Sequence, residues 1–399
     1  MESDVPRLLA KFESGALRRP TAARPNVVDL AGAVWSAAGV PGLDLTPAAR
    51  TIEAQLGGRE HLVFVLADGL GMQLLESMPS ATYLWTHLDG TLDTVFPSTT
   101  AVALTTFATA AWPAAHGVVG HYVHLDGVGV VTPLLGATRS DGRPVPEANG
   151  DGRLFLVPSL ASRVPRPALS VLPAAVVNSP FTAYATAAPR VGYRSLNEAA
   201  DLAIDFIQAA REPTFTYLYV SRIDETVHEL GPLRLEAVGA VGDLAHVMAR
   251  LAAAVGARAR IVLTADHGHL AVRPSSRRVI RGVDDLAGML AGGPTGDART
   301  VFFRLQPGAL EAFADRFRER FGVAYCLLTP DEVEDLRLLG PAPLAAETKR
   351  RLGDAVAISF GDDTLEVRPK GAPADRRLAW PSHHSGLTAA EVRVPLVIV

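Results

Sequence analysis

The chain contains a series of short apolar runs, and almost all of its candidate metal-binding or nucleophilic groups lie at their ends. HLVFVLADGLG places Asp68 after an apolar run, and ARIVLTADHGH ends on Asp266 and His267. YLYVSRIDETVHELGP carries Asp224 and His228, FPSTTAVALTTFAT carries Thr100, and HSGLTAAEVRVPLVIV opens with His384. Apolar runs of this length followed by Gly read as buried parallel strands. In open α/β folds the carboxyl ends of such strands share one edge of the sheet, and ligands bind there. The pattern therefore gathers three Asp, three His and one hydroxyl at one edge. That is a donor inventory suited to phosphoryl transfer at two metal ions.

The rest of the chain fits an α/β fold with a central, mostly parallel sheet flanked by helices. Strand-like and helix-like segments alternate from HLVFVLAD (61–68) through the helix-like 195–213, the strand 214–224, the long helix 232–259 with Gly239 as a point of weakness, and the strand 260–268. The pattern changes after about 272. We expect a smaller inserted α+β unit over 273–372, with DAVAISFGDDTLEVRP (354–369) as a hairpin turning at Gly361-Asp362-Asp363. The core domain then spans 25–272 and 373–399, with VRVPLVIV as its last strand. Residues 1–24 read as a polar surface lead-in, and 125–155, rich in Gly and Pro, as an excursion over the site.

Composition narrows the function classes. With 399 residues, 48% of them hydrophobic, the chain can bury a large core. Its formal charge is −4, from 38 basic and 42 acidic residues, and no basic run stands out. Duplex nucleic acid and anionic membranes are therefore not expected partners. The single cysteine, Cys326, lies in the apolar run VAYCLL and reads as core; it excludes an intrachain disulfide and a cysteine-based zinc site. We see no secretory signal and no uncharged apolar run of about 18 residues, so the expectation is a soluble cytoplasmic protein without a membrane span.

Individually, each motif has an ordinary structural explanation. Asp68 fits a helix N-cap, Ser98, Thr99 and Thr100 fit capping residues, and Asp224 with His228 fits an i, i+4 helix pair. Their joint occurrence at strand exits favours a site. A threonine opening a helix also has its hydroxyl among free backbone N–H groups, which favours an anion there.

Together the blocks VFVLADGLG, FPSTTAVALTTFATAAWPAAHGVVGH, SRIDETVHELGP, LTADHGH and HHSGLTAAEVRVPL resemble the alkaline phosphatase superfamily, and within it the type I phosphodiesterase / nucleotide pyrophosphatase branch. The resemblance spans the whole core domain. It implies one zinc held by Asp224, His228 and His384, and a second by Asp68, Asp266 and His267 with the Thr100 oxygen. It selects Thr100 over Thr99 because the family nucleophile follows Phe-Pro-x-x, and His384 over His383 because the family histidine precedes a small-Gly pair. The implied activity is hydrolysis of a phosphodiester or nucleotide pyrophosphate through a phospho-Thr100 intermediate, on a small phosphate-ester substrate. Three histidines among six ligands favour Zn²⁺ over Mn²⁺ or Mg²⁺. The backbone at Ala101, with His121 and Tyr122, is expected to meet the substrate.

One departure stands out. The branch often carries an Asn three residues after the nucleophile to hold a phosphate oxygen, and here that position is Ala103. A phosphomonoesterase or phosphoryl transferase on the same scaffold is the alternative, followed by a non-catalytic phospho-ligand binder. The Cys/Ser-x-Pro-x-Arg signature of sulfatases does not occur. His116 reads as structural, His124 as a further residue of the mouth, and His269 as a neighbour of the site or a surface residue.

Overall fold

The computed structural model describes residues 3–79, 82–135, 138–139, 142–145, 152–368, 370–371 and 376–399. Its main sheet has seven strands: β1 (His61–Ala67), β2 (Leu88–Asp93), β3 (Ala168–Pro173), β4 (Arg190–Tyr193), β5 (Phe215–Val220), β6 (Ala259–Thr264) and β7 (Arg393–Ile398). They lie in the order β2-β7-β6-β1-β5-β3-β4. β1 pairs in parallel with β5 and β6, and β3 with β4 and β5. Only β7 is reversed, running antiparallel to both β2 and β6. Every residue of β1 is buried, as an all-apolar strand in mid-sheet must be.

Two helix pairs cover the sheet. α1 (Val27–Ala37) packs with α2 (Thr100–Thr109), where the Trp35 and Phe215 rings lie 5.5 Å apart and Phe64 and Phe107 also 5.5 Å apart. α3 (Leu196–Ala209) packs with α5 (Leu235–Val255), and α4 (Arg222–Leu230) also leans on α5. α5 runs unbroken through Gly239. By length and composition it could cross a bilayer, but Leu244, Met248 and Leu251 are buried and it sits as a core helix.

The inserted segment builds a four-stranded antiparallel sheet in the order 295–297, 300–303, 355–359, 325–328. Period-2 alternation gives it two apolar faces. Phe302, Cys326, Leu328, Val356 and Ile358 join one core cluster; Val301, Phe303, Leu327, Ala355 and Ala357 join another. The helix Leu310–Phe321 covers the second face with Phe313 and Phe317. The first face is covered in part by Leu8 of the helix Val5–Glu13. The segment read as a polar lead-in thus holds a helix anchored in this core. The expected hairpin over 354–369 does not form. Ala355–Ser359 joins the four-stranded sheet, whereas Thr364–Arg368 pairs in parallel with Arg277–Arg281. An alternating apolar pattern leaves the choice of partner strand open, and here two different partners satisfy it.

A fully buried ion pair ties this sheet to the segment leading into β7. Arg299 donates to both carboxylate oxygens of Glu391, at 2.6 and 3.0 Å, and neither side chain is exposed. Arg299 also donates to the carbonyls of Gly361 and Asp363. Removing one member of such a pair leaves an uncompensated buried charge, which typically costs ~3–5 kcal/mol. We expect Glu391→Gln to lower the urea midpoint accordingly, and the double variant Arg299→Met/Glu391→Leu to lose less than either single variant. Equal stability of Glu391→Gln and wild type in urea melts would contradict this.

His116 closes a turn, as the sequence suggests. It is fully buried; its Nδ1 accepts from the Val118 amide at 3.2 Å and its Nε2–H donates to Thr106 Oγ1 at 3.0 Å. Burial, reinforced by the Arg351 guanidinium, pulls its pKa from 6.5 down to about 3. Between those pH values only the unfolded chain takes up the proton, so stability falls as pH drops from about 6.5 towards 3, by about 1.4 kcal/mol per pH unit. Comparing the pH dependence of unfolding in wild type and His116→Gln checks this: the variant should show the shallower acid slope, and equal slopes would remove His116 as a cause.

Candidate active site

The site lies where β1, β5 and β6 end and β7 begins. Three parallel strands deliver Asp68, Asp224, Asp266 and His267 from their C-terminal ends. The reversed β7 begins at that same edge, so the loop before it delivers His384. The local backbone is tightly fixed. Asp68 N–H donates to Val220 C=O at 2.9 Å, and Asp224 N–H to Asp68 C=O at 3.1 Å. Gly71 and Gly268 pack backbone to backbone; a Cβ on Gly268 would lie 2.1 Å from the Ala390 carbonyl oxygen.

Among the described residues three donor sets result; one, Asp224 with His267 and His269, overlaps the other two, which share no residue. The ligating atoms of Asp68, Asp266 and His267 lie within 4.8 Å of one another, as do those of Asp224, His228 and His384. Backbone carbonyls set the imidazoles. Nδ1–H of His228 donates to Ser382 C=O at 3.0 Å, that of His384 to Ser98 C=O at 3.0 Å, and that of His267 to Gly268 C=O at 3.1 Å. A carbonyl can only accept, so each ring turns an Nε2 lone pair inward. Those of His228 and His384 face each other at 3.1 Å. Nε2 of His267 lies 3.3 Å from Asp266 Oδ2 and 3.6 Å from Asp68 Oδ1.

The carboxylates reinforce this picture. Asp68 Oδ1 and Asp266 Oδ2 are buried without a hydrogen-bond partner. Burial, then the charges of Asp266 and Asp224, push the Asp68 carboxyl well above its usual range. At Asp224, burial is outweighed by the imidazoles of His228, His269 and His267, which hold that carboxyl below its usual range. Burial and the neighbouring His267 and His228 depress the His384 imidazole. Buried acceptors facing one another without protons to share are what a divalent cation satisfies, and the mixed N/O donors suit zinc. The residues present therefore fit two metal ions.

Thr100 opens α2. Its Oγ1 lies 3.1 Å from His267 Nε2. The pair of threonines resolves cleanly: Thr99 Oγ1 donates to Asp297 Oδ2 at 2.9 Å, and Ser98 Oγ to Gly386 C=O at 2.8 Å. Thr99 takes the N-cap position, but its side chain makes no capping bond, because it serves Asp297 instead. Ala101 lies in the first turn, where helix N–H groups lack intrahelical acceptors. Ala103 is fully buried in the main core and presents nothing polar to a ligand.

A cavity of about 590 Å³ opens over Asp68, Thr100, Asp224, His228 and His384. His121 and Tyr122 line its wall, and both contact Arg377, at 3.2 Å for His121 Nε2. Strand Thr295–Asp297 of the inserted unit closes one side; Tyr122 N–H donates to Gly296 C=O at 3.0 Å. Val130 and Leu134, from the 125–155 excursion, also line the cavity. His124 points elsewhere, 3.5 Å from Asp126. His383 lines the cavity but stands outside both donor sets.

The sequence reading missed several residues. Tyr219 OH donates to Asp68 Oδ2, and Asp297, Arg377 and Ser382 all touch the site. Tyr219 was the most legible of these: it lies one residue before the end of β5, so its ring reaches the edge where the ligands collect. His269, read as a neighbour or a surface residue, is buried with Nε2 2.9 Å from Asp224 Oδ1.

Comparison with known proteins identifies the family and the fold. The family model of type I phosphodiesterase / nucleotide pyrophosphatase matches residues 62–358. Murine ectonucleotide pyrophosphatase / phosphodiesterase 5 shares the fold with a TM-score of 0.63 at 15% identity, over 84% of this chain and 87% of that one. The human counterpart gives 0.64 at 12% identity, with the same shares covered. Phosphonoacetate hydrolase from Sinorhizobium meliloti 1021, solved with phosphonoacetate, gives 0.60 at 17% identity, over 84% and 89% of the two chains. No curated protein sequence matches the chain. Five motif blocks, the sheet edge that collects them and a family match over 62–358 lead to one conclusion: the chain belongs to the type I phosphodiesterase / nucleotide pyrophosphatase family of the alkaline phosphatase superfamily, metal-dependent hydrolases of phosphoester bonds.

Proposed function

We propose that this protein hydrolyses a phosphodiester or nucleotide pyrophosphate through a phospho-Thr100 intermediate at a two-zinc site. The observation that carries the reading is Thr100 Oγ1, at the start of a ten-residue helix, 3.1 Å from His267 Nε2 and lining the same cavity as Asp68, Asp224, His228 and His384. Asp224, His228 and His384 hold one ion, and Asp68, Asp266 and His267 the other. Bound Zn²⁺ supplies Lewis acidity, which lowers the hydroxyl pKa of Thr100 and neutralises charge on the phosphoryl oxygens.

The chain's own groups do the rest. Thr100 gives its hydroxyl proton to solvent and attacks phosphorus in line, forming the Thr100 Oγ–P bond as the bond to the leaving oxygen breaks. Water then attacks the same phosphorus from the opposite side, releasing the phosphate product and restoring the Thr100 hydroxyl. First-turn amides of α2 near Ala101 stabilise the phosphoryl charge. Ala103 offers no help, so His121, Tyr122 and the adjoining Arg377 are among the side chains of the wall that can donate to a substrate oxygen. That change at Ala103 keeps phosphomonoester hydrolysis as the second reading. Phosphonoacetate belongs in the substrate screen, since one structural neighbour was solved with it.

Three measurements test the reading. Thr100→Ala should lower kcat by more than about 10⁴-fold, as loss of a nucleophile does elsewhere, while elemental analysis still finds two ions per chain. Full activity in that variant would end the nucleophile assignment. Chelation should abolish hydrolysis and Zn²⁺ should restore it; a metal-free preparation at full activity would contradict the two-metal scheme. Finally, bis-p-nitrophenyl phosphate should turn over faster than p-nitrophenyl phosphate, and the reverse order would move the protein to the monoesterase reading.

A further inference from the structure

His269 takes no part in the scheme above, yet it is among the most constrained side chains of the site. It is 3% exposed, and both ring nitrogens are engaged: Nε2 lies 2.9 Å from Asp224 Oδ1 and Nδ1 lies 3.0 Å from Ser382 Oγ. An ionised Asp224 can only accept, so Nε2–H donates to it and Nδ1 accepts from the Ser382 hydroxyl. Ser382 also takes the Nδ1–H of His228 on its carbonyl. It sits in the two-residue strand Ser382–His383, which pairs antiparallel with Leu270–Ala271 directly after His269. One fully buried serine therefore fixes His228 directly and Asp224 through His269, and His384 follows two residues later.

The backbone makes room for this pair. Gly69, at φ +74°, passes so close that a Cβ there would lie 2.9 Å from both His269 Nε2 and the Asp224 Cα. The glycine after Asp68 thus serves more than the turn: any side chain would displace His269 from Asp224. Ring contacts surround His269, with the His228 centroid at 4.7 Å and that of His384 at 5.3 Å.

We propose that His269 is a positioning residue for the Asp224/His228/His384 donor set, holding the Asp224 carboxylate in place through Nε2–H while anchored on Ser382. The inference rests on the two-metal reading. It makes His269 a hydrogen-bond donor rather than a metal ligand. Partners of this kind typically account for about 10–100-fold in metal affinity.

The test is titration of chelator-stripped full-length protein with Co²⁺, followed by calorimetry and by visible absorption. Wild type should take up two ions. In His269→Leu one binding step should weaken by about 10–100-fold, while the other stays unchanged. Asp224→Asn should weaken that same step, which identifies it, and Asp68→Asn should weaken the other. His269→Gln, whose amide can donate near the Nε2 position, should recover most of the affinity with an unchanged Co²⁺ spectrum. Unchanged binding in His269→Leu, equal weakening of both steps, or failure of Gln to rescue would each overturn the positioning role. A changed Co²⁺ spectrum in His269→Gln would also overturn it, by making His269 a ligand. Wild type that binds a single ion would remove the two-metal reading itself, an outcome distinct from all of these.

Discussion

Arg299 and Glu391 meet out of reach of water, and much of the site hangs on that contact. Glu391 accepts not only from Arg299 but from the Gly386 amide at 2.7 Å and the Thr388 hydroxyl at 2.7 Å. Gly386 must be glycine, because a Cβ there would lie 2.7 Å from the Glu391 carboxylate and 2.9 Å from the guanidinium. From the other side, Thr300 Oγ1 donates to Ser385 C=O at 2.6 Å. The loop carrying His384 is thus gripped between a charge pair and the edge of the inserted sheet. Buried ion pairs contribute little net stability against apolar alternatives. This one is better understood as fixing where a loop lies.

The same economy governs the imidazoles. Four of the histidines around the site have Nδ1 tied to a backbone carbonyl or to Ser382, which leaves Nε2 to face the interior. Tautomer and ring angle are then settled by the fold before any ion arrives. The cost shows in Asp68 and Asp266, each left with a buried oxygen that has no hydrogen-bond partner. Such a cluster trades stability of the empty protein for affinity towards cations.

Much of this was legible in the sequence because strand exits are periodic and their consequences local. The apolar run before Asp68 dictates a buried strand, parallel packing dictates which end of it meets the ligands, and the residues at that end are written in order. Thr100 and His384 needed the family resemblance, since their neighbours Thr99 and His383 have the same chemistry. What escaped the sequence is whatever depends on pairing across long separations. Asp297 holding Thr99, Tyr219 holding Asp68 and Ser382 holding His269 join residues about 110 to 200 positions apart. The misjudged hairpin belongs to the same class: alternation at 355–368 reveals two strands but not their partners.

The reversed strand β7 also sets an order of events. It lies between β2 and β6, so it joins two parts of the sheet that have no other strand between them. It follows the other six strands along the chain, and His384 follows the other six groups of the site. A nascent chain can collapse early around β1, β5 and β6, but it cannot finish its sheet or its second donor set until β7 has followed. Completion of both donor sets therefore waits for β7, and the open slot beside β6 is the edge that must stay protected in the meantime.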